Sequence, residues 1–371
     1  MENIDIVEEF FDLVNRGKEG KNTGVSTGLP KLDEYTEGLS QETSYLIGGS
    51  SGSGKTSYTL YSLLYNPLMS EYNKASNRDL HYLIFNYEMT TSQILAKLLA
   101  IYIFKTYGEV MTFRDMFSRG KDSEGNPNII TEEHYQLLLE CKPILEYFKS
   151  KITFAPNART YETFEETCFD YLKQFGTFAD EFAMFDENTY SPNNSNQIIG
   201  IIMDHMNLMK ASQGGKKKTI DDTSNCCVRM RNMCHIVSPI LLMQLNRGGM
   251  DGNRIRADLM EPVAEDFKDS GTVFEDSQVV YTLYCPAKSQ LAQHRKYDIS
   301  KLGNRYISLK VLKNRFGESN IADALAYYGE VTLFTELPKH DEIFDYTMYK
   351  NPDWLLRTVD TNKPTHNPFK I

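Results

Sequence analysis

The chain has six cysteines in 371 residues, but none forms a C-x-x-C pair and no Cys/His spacing fits a metal site. This argues against a zinc module or a disulfide scaffold and points to reduced cytosolic thiols. No apolar run approaches the roughly 20 residues that span a bilayer, so no membrane partner is expected. The start, Met1-Glu2-Asn3-Ile4-Asp5, lacks the basic region of a signal peptide. Positive charge is also scarce: 40 Lys and Arg stand against 50 Asp and Glu, a net charge of −10. Nucleic-acid contact, if any, must then be local rather than a property of the whole surface. Internal repeats are absent, and no alternation of aromatic and basic residues suggests a base-stacking platform. What is present is an ordinary 41% of hydrophobic residues. That supplies a sizeable core, either one large α/β domain with extensions or two modest domains.

Val7, Phe10, Phe11 and Val14 recur at i, i+3, i+4 and i+7, which predicts a short amphipathic helix over 4–16. A lone helix of that length is marginal in water, so it should dock on its own domain or on a neighbour. Apolar runs at 44–48, 80–86, 152–155, 198–203, 238–243, 278–284 and 305–312 alternate with helical stretches, which predicts a mainly parallel sheet with crossover helices. Residues 117–129 and 176–196 interrupt the pattern with Gly, Pro, Asn and acidic residues and read as surface insertions. Pro338, Pro352, Pro364 and Pro368 mark 336–371 as a partly extended tail. The expected division is a helix over 1–20, an α/β domain over 21–335 and the tail.

The segment Gly49-Ser50-Ser51-Gly52-Ser53-Gly54-Lys55-Thr56-Ser57 fits the phosphate-binding loop G-x-x-x-x-G-K-[ST] at every fixed position. Tyr45-Leu46-Ile47 leads in as a strand and Lys55 to Leu64 leads out as a helix. Glycines let the backbone N–H groups turn inward on phosphate oxygens, and the helix start adds partial positive charge. Lys55 can neutralise β- and γ-phosphates, and Thr56 can offer its hydroxyl to Mg²⁺. Three apolar strands then end in polar residues: Glu88 after 83–87, Asp204 after 198–203 and Gln244 after 239–243. Glu88 could polarise a water, Asp204 could hold Mg²⁺ and Gln244 could report a γ-phosphate. Singly, each reads as a turn or cap; together, after a phosphate loop, they read as a nucleotide-hydrolysing site.

From about Gly24 to Gly317, apart from the two insertions, the sequence resembles the DnaB-type replicative helicases, which have a RecA-like core. The resemblance rests on the entry segment Gly24 to Asp33, on Tyr87-Glu88-Met89 and on Asp204-His205-Met206-Asn207-Leu208-Met209. It rests further on Gln244-Leu245-Asn246-Arg247, on Asp266-Phe267-Lys268-Asp269-Ser270-Gly271 and on Lys313-Asn314-Arg315-Phe316-Gly317, all in family order. It implies a RecA-like phosphate-loop NTPase core preceded by a linker helix that packs on the next subunit. It also implies ATP or another NTP with Mg²⁺, a homo-hexameric ring, single-stranded DNA as partner and 5′ to 3′ movement. Lys313 and Arg315 would act on the nucleotide of the adjacent subunit, Arg315 as the arginine finger.

Strand contacts would come from Lys268, Asp269, Ser270 and Gly271, from Lys216, Lys217 and Lys218 in a loop after Asp204, and from Arg247, with Arg254 and Arg256 in the same third candidate loop. A solvated loop is the competing reading of the three lysines. Lys97 stands where the family often has an arginine near the γ-phosphate, and His205 where a tyrosine is usual. The family's N-terminal domain is not seen ahead of the core, which suggests a phage-like version and leaves primase and other replisome partners open. The competing functions are a RecA/RadA-like strand-exchange ATPase and a non-unwinding, nucleotide-gated scaffold or loader.

Overall fold

The computed structural model describes residues 6–18, 20, 22–121, 125–185, 187–245, 254, 260–343 and 345–357. A nine-stranded sheet organises them. Its strands are β1 (Tyr45–Gly49), β2 (Asp79–Asn86), β3 (Ile152–Phe154), β6 (Gln197–Asp204), β7 (Val237–Gln244), β8 (Val279–Tyr284), β11 (Tyr306–Asn314), β12 (Ile321–Tyr328) and β13 (Leu333–Glu336). Their order is β13-β12-β11-β8-β1-β7-β6-β2-β3. From β3 to β8 the pairing is parallel; β11, β12 and β13 add an antiparallel flank. Two small antiparallel pairs lie outside it, β4 (Gly176–Phe178) with β5 (Tyr190–Pro192) and β9 (Gln293–His294) with β10 (Tyr297–Asp298).

The central strands β1 and β6 are buried along their whole length. Parallel strands covered by helices on both faces have no solvent side, hence their unbroken apolar runs. The alternation of side chains sorts the two faces: Tyr45, Ile47, Tyr82 and Ile84 enter one core, Leu46, Leu83 and Phe85 the other. All seven predicted runs are strands of this sheet. The hairpins β4–β5 and β9–β10 and the flank strands β12 and β13 had no such signal.

Two expectations need correction. Residues 176–196 are not a detached surface insertion: Phe178, Phe185 and Tyr190 are buried in the second core with Phe169 and Cys234. Aromatics spaced through polar sequence hide that burial; Asp186 lies outside the described residues. The presumed tail also folds back in part. Tyr349 is buried, Trp354 Nε1 donates to Tyr328 Oη at 2.5 Å, and Leu356 lies against Gly108. Residues 358–371 lie outside the described residues. Around 117–129 the insertion reading holds, with open space beside Gly120 and Gly125; residues 122–124 are outside the described set.

Candidate nucleotide site and strand-contact surface

β1 carries the phosphate loop at its C-terminal end, between the ends of β7 and β8, with Gly49 in register with Gln244 and with Leu283. The carboxyl edge of a parallel sheet, where neighbouring connections diverge, is a ligand crevice. Gly54 has φ 96° and leads directly into the helix Lys55–Tyr58, a conformation a Cβ would strain. Lys55 is buried, and its Nζ donates to the carbonyls of Gly49 and Ser50 at 2.9 Å each. Burial lowers its ammonium to about 8, against the pull of Asp204 and Glu88. Ser53 Oγ is buried with no hydrogen-bond partner.

Asp204 ends β6 opposite Asn86 of β2, which brings Asp204 and Glu88 to one edge. Thr56 Oγ1 donates to Asp204 Oδ1 at 3.2 Å. Burial raises the Asp204 carboxyl to about 6; the Thr56 hydroxyl lowers it and Glu88 raises it. The Asp204–His205 peptide is cis. Glu88 is 58% exposed, with Oε2 4.0 Å from His205 Nε2. Gln244 is exposed at the end of β7, and its backbone N–H donates to Asn207 Oδ1 at 3.0 Å.

A buried cation satisfied only by carbonyl dipoles, an orphaned hydroxyl and an inward loop fit an anionic polyphosphate. A hydroxyl and a carboxylate 3.2 Å apart are the donor set of a hard divalent cation. Lys55, Thr56, Asp204, Glu88 and Gln244 are thus gathered at one edge. Lys97 Nζ donates to Thr332 Oγ1 at 3.4 Å, in the turn before β13.

Sequence reasoning missed Lys288, whose Nζ donates to Gly52 O at 2.7 Å, and Tyr327, whose hydroxyl donates to Ser57 Oγ at 2.8 Å while its ring stacks on Phe334. Neither belongs to a motif.

Lys313 is the next-to-last residue of β11 and Arg315 the first beyond it. Lys313 Nζ donates to Phe274 O and Glu275 O at 2.9 and 2.7 Å, and Arg315 Nη2 donates to Glu275 O at 3.2 Å. Both cations therefore sit on the carbonyl end of the helix Gly271–Asp276, where the helix dipole favours them. Their place in the sheet is the informative part. Asn314 pairs with Val279, and Val279 with Tyr45, the first residue of β1. The phosphate loop leaves from the last residue, Gly49, roughly 13 Å along the strand direction. The pair occupies the edge of the sheet opposite its own chain's phosphate loop.

The candidate strand contacts also differ from loops. Lys216, Lys217 and Lys218 lie in the first turn of the helix Gly215–Cys234. Gly214, with φ 114°, turns the chain, and Thr219 Oγ1 accepts from the Ser212 N–H, which closes the helix start. Lys216 Nζ bonds Met209 O, Lys218 pairs with Asp222 at 2.9 Å, and Lys217 is exposed. A helix start disfavours cations, although Lys218 and Asp222 form an i, i+4 pair. Residues 264–270 form a 3-10 turn running into the helix at Gly271. Asp266 fixes it by accepting from the Val263 N–H at 2.9 Å and pairing with Arg254 at 2.7 Å, while Phe267 is buried beside Gly48. Arg247 and Arg256 lie outside the described residues, as do the side chains of Lys268, Asp269 and Ser270.

The family described as DnaB-like helicase C-terminal domain matches residues 24–111 and 186–336, well over half of the chain. Two proteins of different Helicobacter pylori strains, each named replicative DNA helicase DnaB, are 22% identical over 286 and 291 residues. The matches cover 76% of this chain and 48% of those proteins, so the chain spans about half the length of the curated relatives it matches. Among solved structures, one described as an ATPase domain superposes with a TM-score of 0.64 at 16% identity, covering 91% of this chain and 100% of that one. A DnaB-like replicative helicase described with its interactions with primase gives 0.62 at 15%, covering 91% and 69%. These likenesses establish the RecA-like ATPase fold.

Proposed function

The chain belongs to the family of DnaB-like helicase C-terminal domains, and from that membership we propose that it is the motor of a ring-forming, NTP-dependent replicative DNA helicase. It moves along single-stranded DNA, 5′ to 3′, and separates duplex ahead of it. The observation that carries this reading is the split site. The loop, Thr56, Asp204, Glu88 and Gln244 lie at one edge of the sheet and Lys313 with Arg315 at the other. A head-to-tail arrangement of copies brings unlike edges together, and when the rotation closes it makes a ring.

In that arrangement Lys55 and the loop N–H groups would hold the β- and γ-phosphates, and Thr56 with Asp204 would hold Mg²⁺, which would supply positive charge against the charge of the transferring phosphoryl group. Glu88, 58% exposed, takes the proton of the attacking water. Lys313 and Arg315 of the preceding copy reach the γ-phosphate, where an arginine finger is worth about 10³–10⁵ in rate. Gln244, joined to the Asp204 segment through Asn207, passes the γ-phosphate state toward the strand-contact segments. Lys216, Lys217 and Lys218 and the 266–271 turn contact phosphates without reading sequence. The helix Ile6–Lys18 presents Phe10, Phe11 and Val14 outward, 60%, 56% and 40% exposed, a face suited to docking on the next copy. Partners are single-stranded DNA, further copies in a hexamer, and replisome proteins such as primase. No helix among the described residues is long and apolar enough to cross a membrane, and the cytoplasm is the proposed location.

A forked-duplex assay with ATP and Mg²⁺ tests this. Unwinding is expected, and its loss in Lys55→Ala and Arg315→Ala. Strand exchange with intact forks would instead indicate a RecA-like filament protein. Nucleotide binding without DNA-stimulated hydrolysis would indicate a scaffold or loader.

A further inference from the structure

One residue outside every motif touches both the Glu88 turn and the strand-contact side. Arg159 lies in the stretch between the two segments matched by the family. Its Nη2 donates to Tyr87 O at 2.9 Å, and its guanidinium lies over the Tyr87 ring, 5.1 Å from the centroid. Tyr87 is the residue before Glu88. It is held from two more sides: its N–H donates to Asp204 O at 3.1 Å, and its hydroxyl donates to Ala158 O. The backbone of Arg159 faces the other way. Its carbonyl accepts the Lys210 N–H at 2.7 Å, in the segment that leaves Asp204 for the three lysines, and Lys216 Nζ returns to Met209 O in that segment.

A displacement of residues 209–218 thus reaches the peptide that aims Glu88 through a single intervening residue. Tyr87 is buried, so its peptide cannot shift without moving the Arg159 fork. Lys210, Lys216, Lys217 and Lys218 give that segment its positive charge for a polyanion.

We propose that Arg159 is a positioning residue that couples single-strand contact at residues 209–218 to the placement of Glu88. It touches neither nucleotide nor strand; it sets how strongly DNA accelerates hydrolysis. This rests on the helicase reading above.

The test compares steady-state hydrolysis with and without an oligothymidylate for the full chain and for Arg159→Ala, Arg159→Met and Arg159→Lys. Wild type is expected to be stimulated. In Arg159→Ala and Arg159→Met the stimulated kcat falls about tenfold, as small misplacements at a reacting centre do. The unstimulated rate, KM for nucleotide and oligonucleotide affinity are expected to stay within twofold, and Arg159→Lys, which keeps one donor and the charge, to recover part of the stimulation. A merely structural defect would lower both rates together. Unstimulated wild type would overturn the helicase reading itself. Stimulated wild type with an unchanged stimulation factor in the variants would overturn the coupling alone. Hydrogen exchange on wild type decides the matter if no variant folds: the strand should slow exchange at 86–90 and 157–161 together with 209–218. Protection confined to 209–218 would contradict the proposal.

Discussion

Glu261→Gln isolates the anchor of the segment that follows β7. The Glu261 carboxylate is 14% exposed and pairs with Arg295 at 2.6 Å, with His294 Nε2 at 3.5 Å and the Ser308 hydroxyl also on it. Its own carbonyl accepts from Arg254 at 3.1 Å, and Arg254 pairs with Asp266 of the candidate strand-contact turn. Burial alone would raise this carboxyl. Hydrogen bonds from His294, Arg295 and Ser308 outweigh it and bring it from the ordinary 4.5 to about 2. At about 1.4 kcal/mol per unit, that is roughly 3 kcal/mol of stability from the ionised form. The folded value is depressed, so the contribution is complete above 4.5 and disappears as pH falls toward 2. Glu261→Gln should therefore lose up to about 3 kcal/mol at pH 7 and less than half of that at pH 3. Urea midpoints at the two pH values, with m unchanged, measure both. A variant as stable as wild type at pH 7, or a deficit as large at pH 3, would refute the reasoning.

Phe10→Asp together with Phe11→Asp should shift sedimentation from ring to single copies while thermal unfolding of the core stays within a few degrees, because those rings face outward. Lys217→Ala should weaken oligonucleotide binding and lower the slope of log affinity against log salt by about 0.7, the value for one single-strand phosphate contact, measured by fluorescence anisotropy. Trp354→Ala should destabilise by about 3 kcal/mol, read by denaturant unfolding, since it removes a large ring and the donor to Tyr328.

Strands of the parallel sheet were legible because burial on both faces demands unbroken apolar runs, as in 198–203. The flank strand 321–328 was not, because its half-buried Ala-rich sequence lacks β-branched residues beyond Ile321. Phe178 and Tyr190 were hidden because isolated aromatics in polar sequence carry no period. Lys55, Thr56 and Asp204 could be read from spacing and strand ends, and their mutual geometry is now in place. Lys216 to Lys218 were read as a loop because glycines precede them, whereas Gly214 starts a helix. Lys288, Tyr327 and Arg159 escaped because their partners, Gly52, Ser57 and Tyr87, are 236, 270 and 72 residues away in sequence.

The central claim is that each nucleotide site is completed by a second copy. Mixing Lys55→Ala chains with Arg315→Ala chains tests it. Each variant alone should be inactive. A mixed ring contains interfaces that join an intact loop to an intact cation pair, about a quarter of all interfaces at equal proportions. Hydrolysis in the mixture should rise toward that fraction of wild type. Mixtures as inactive as the separate variants, although native mass spectrometry shows mixed rings, would contradict the account.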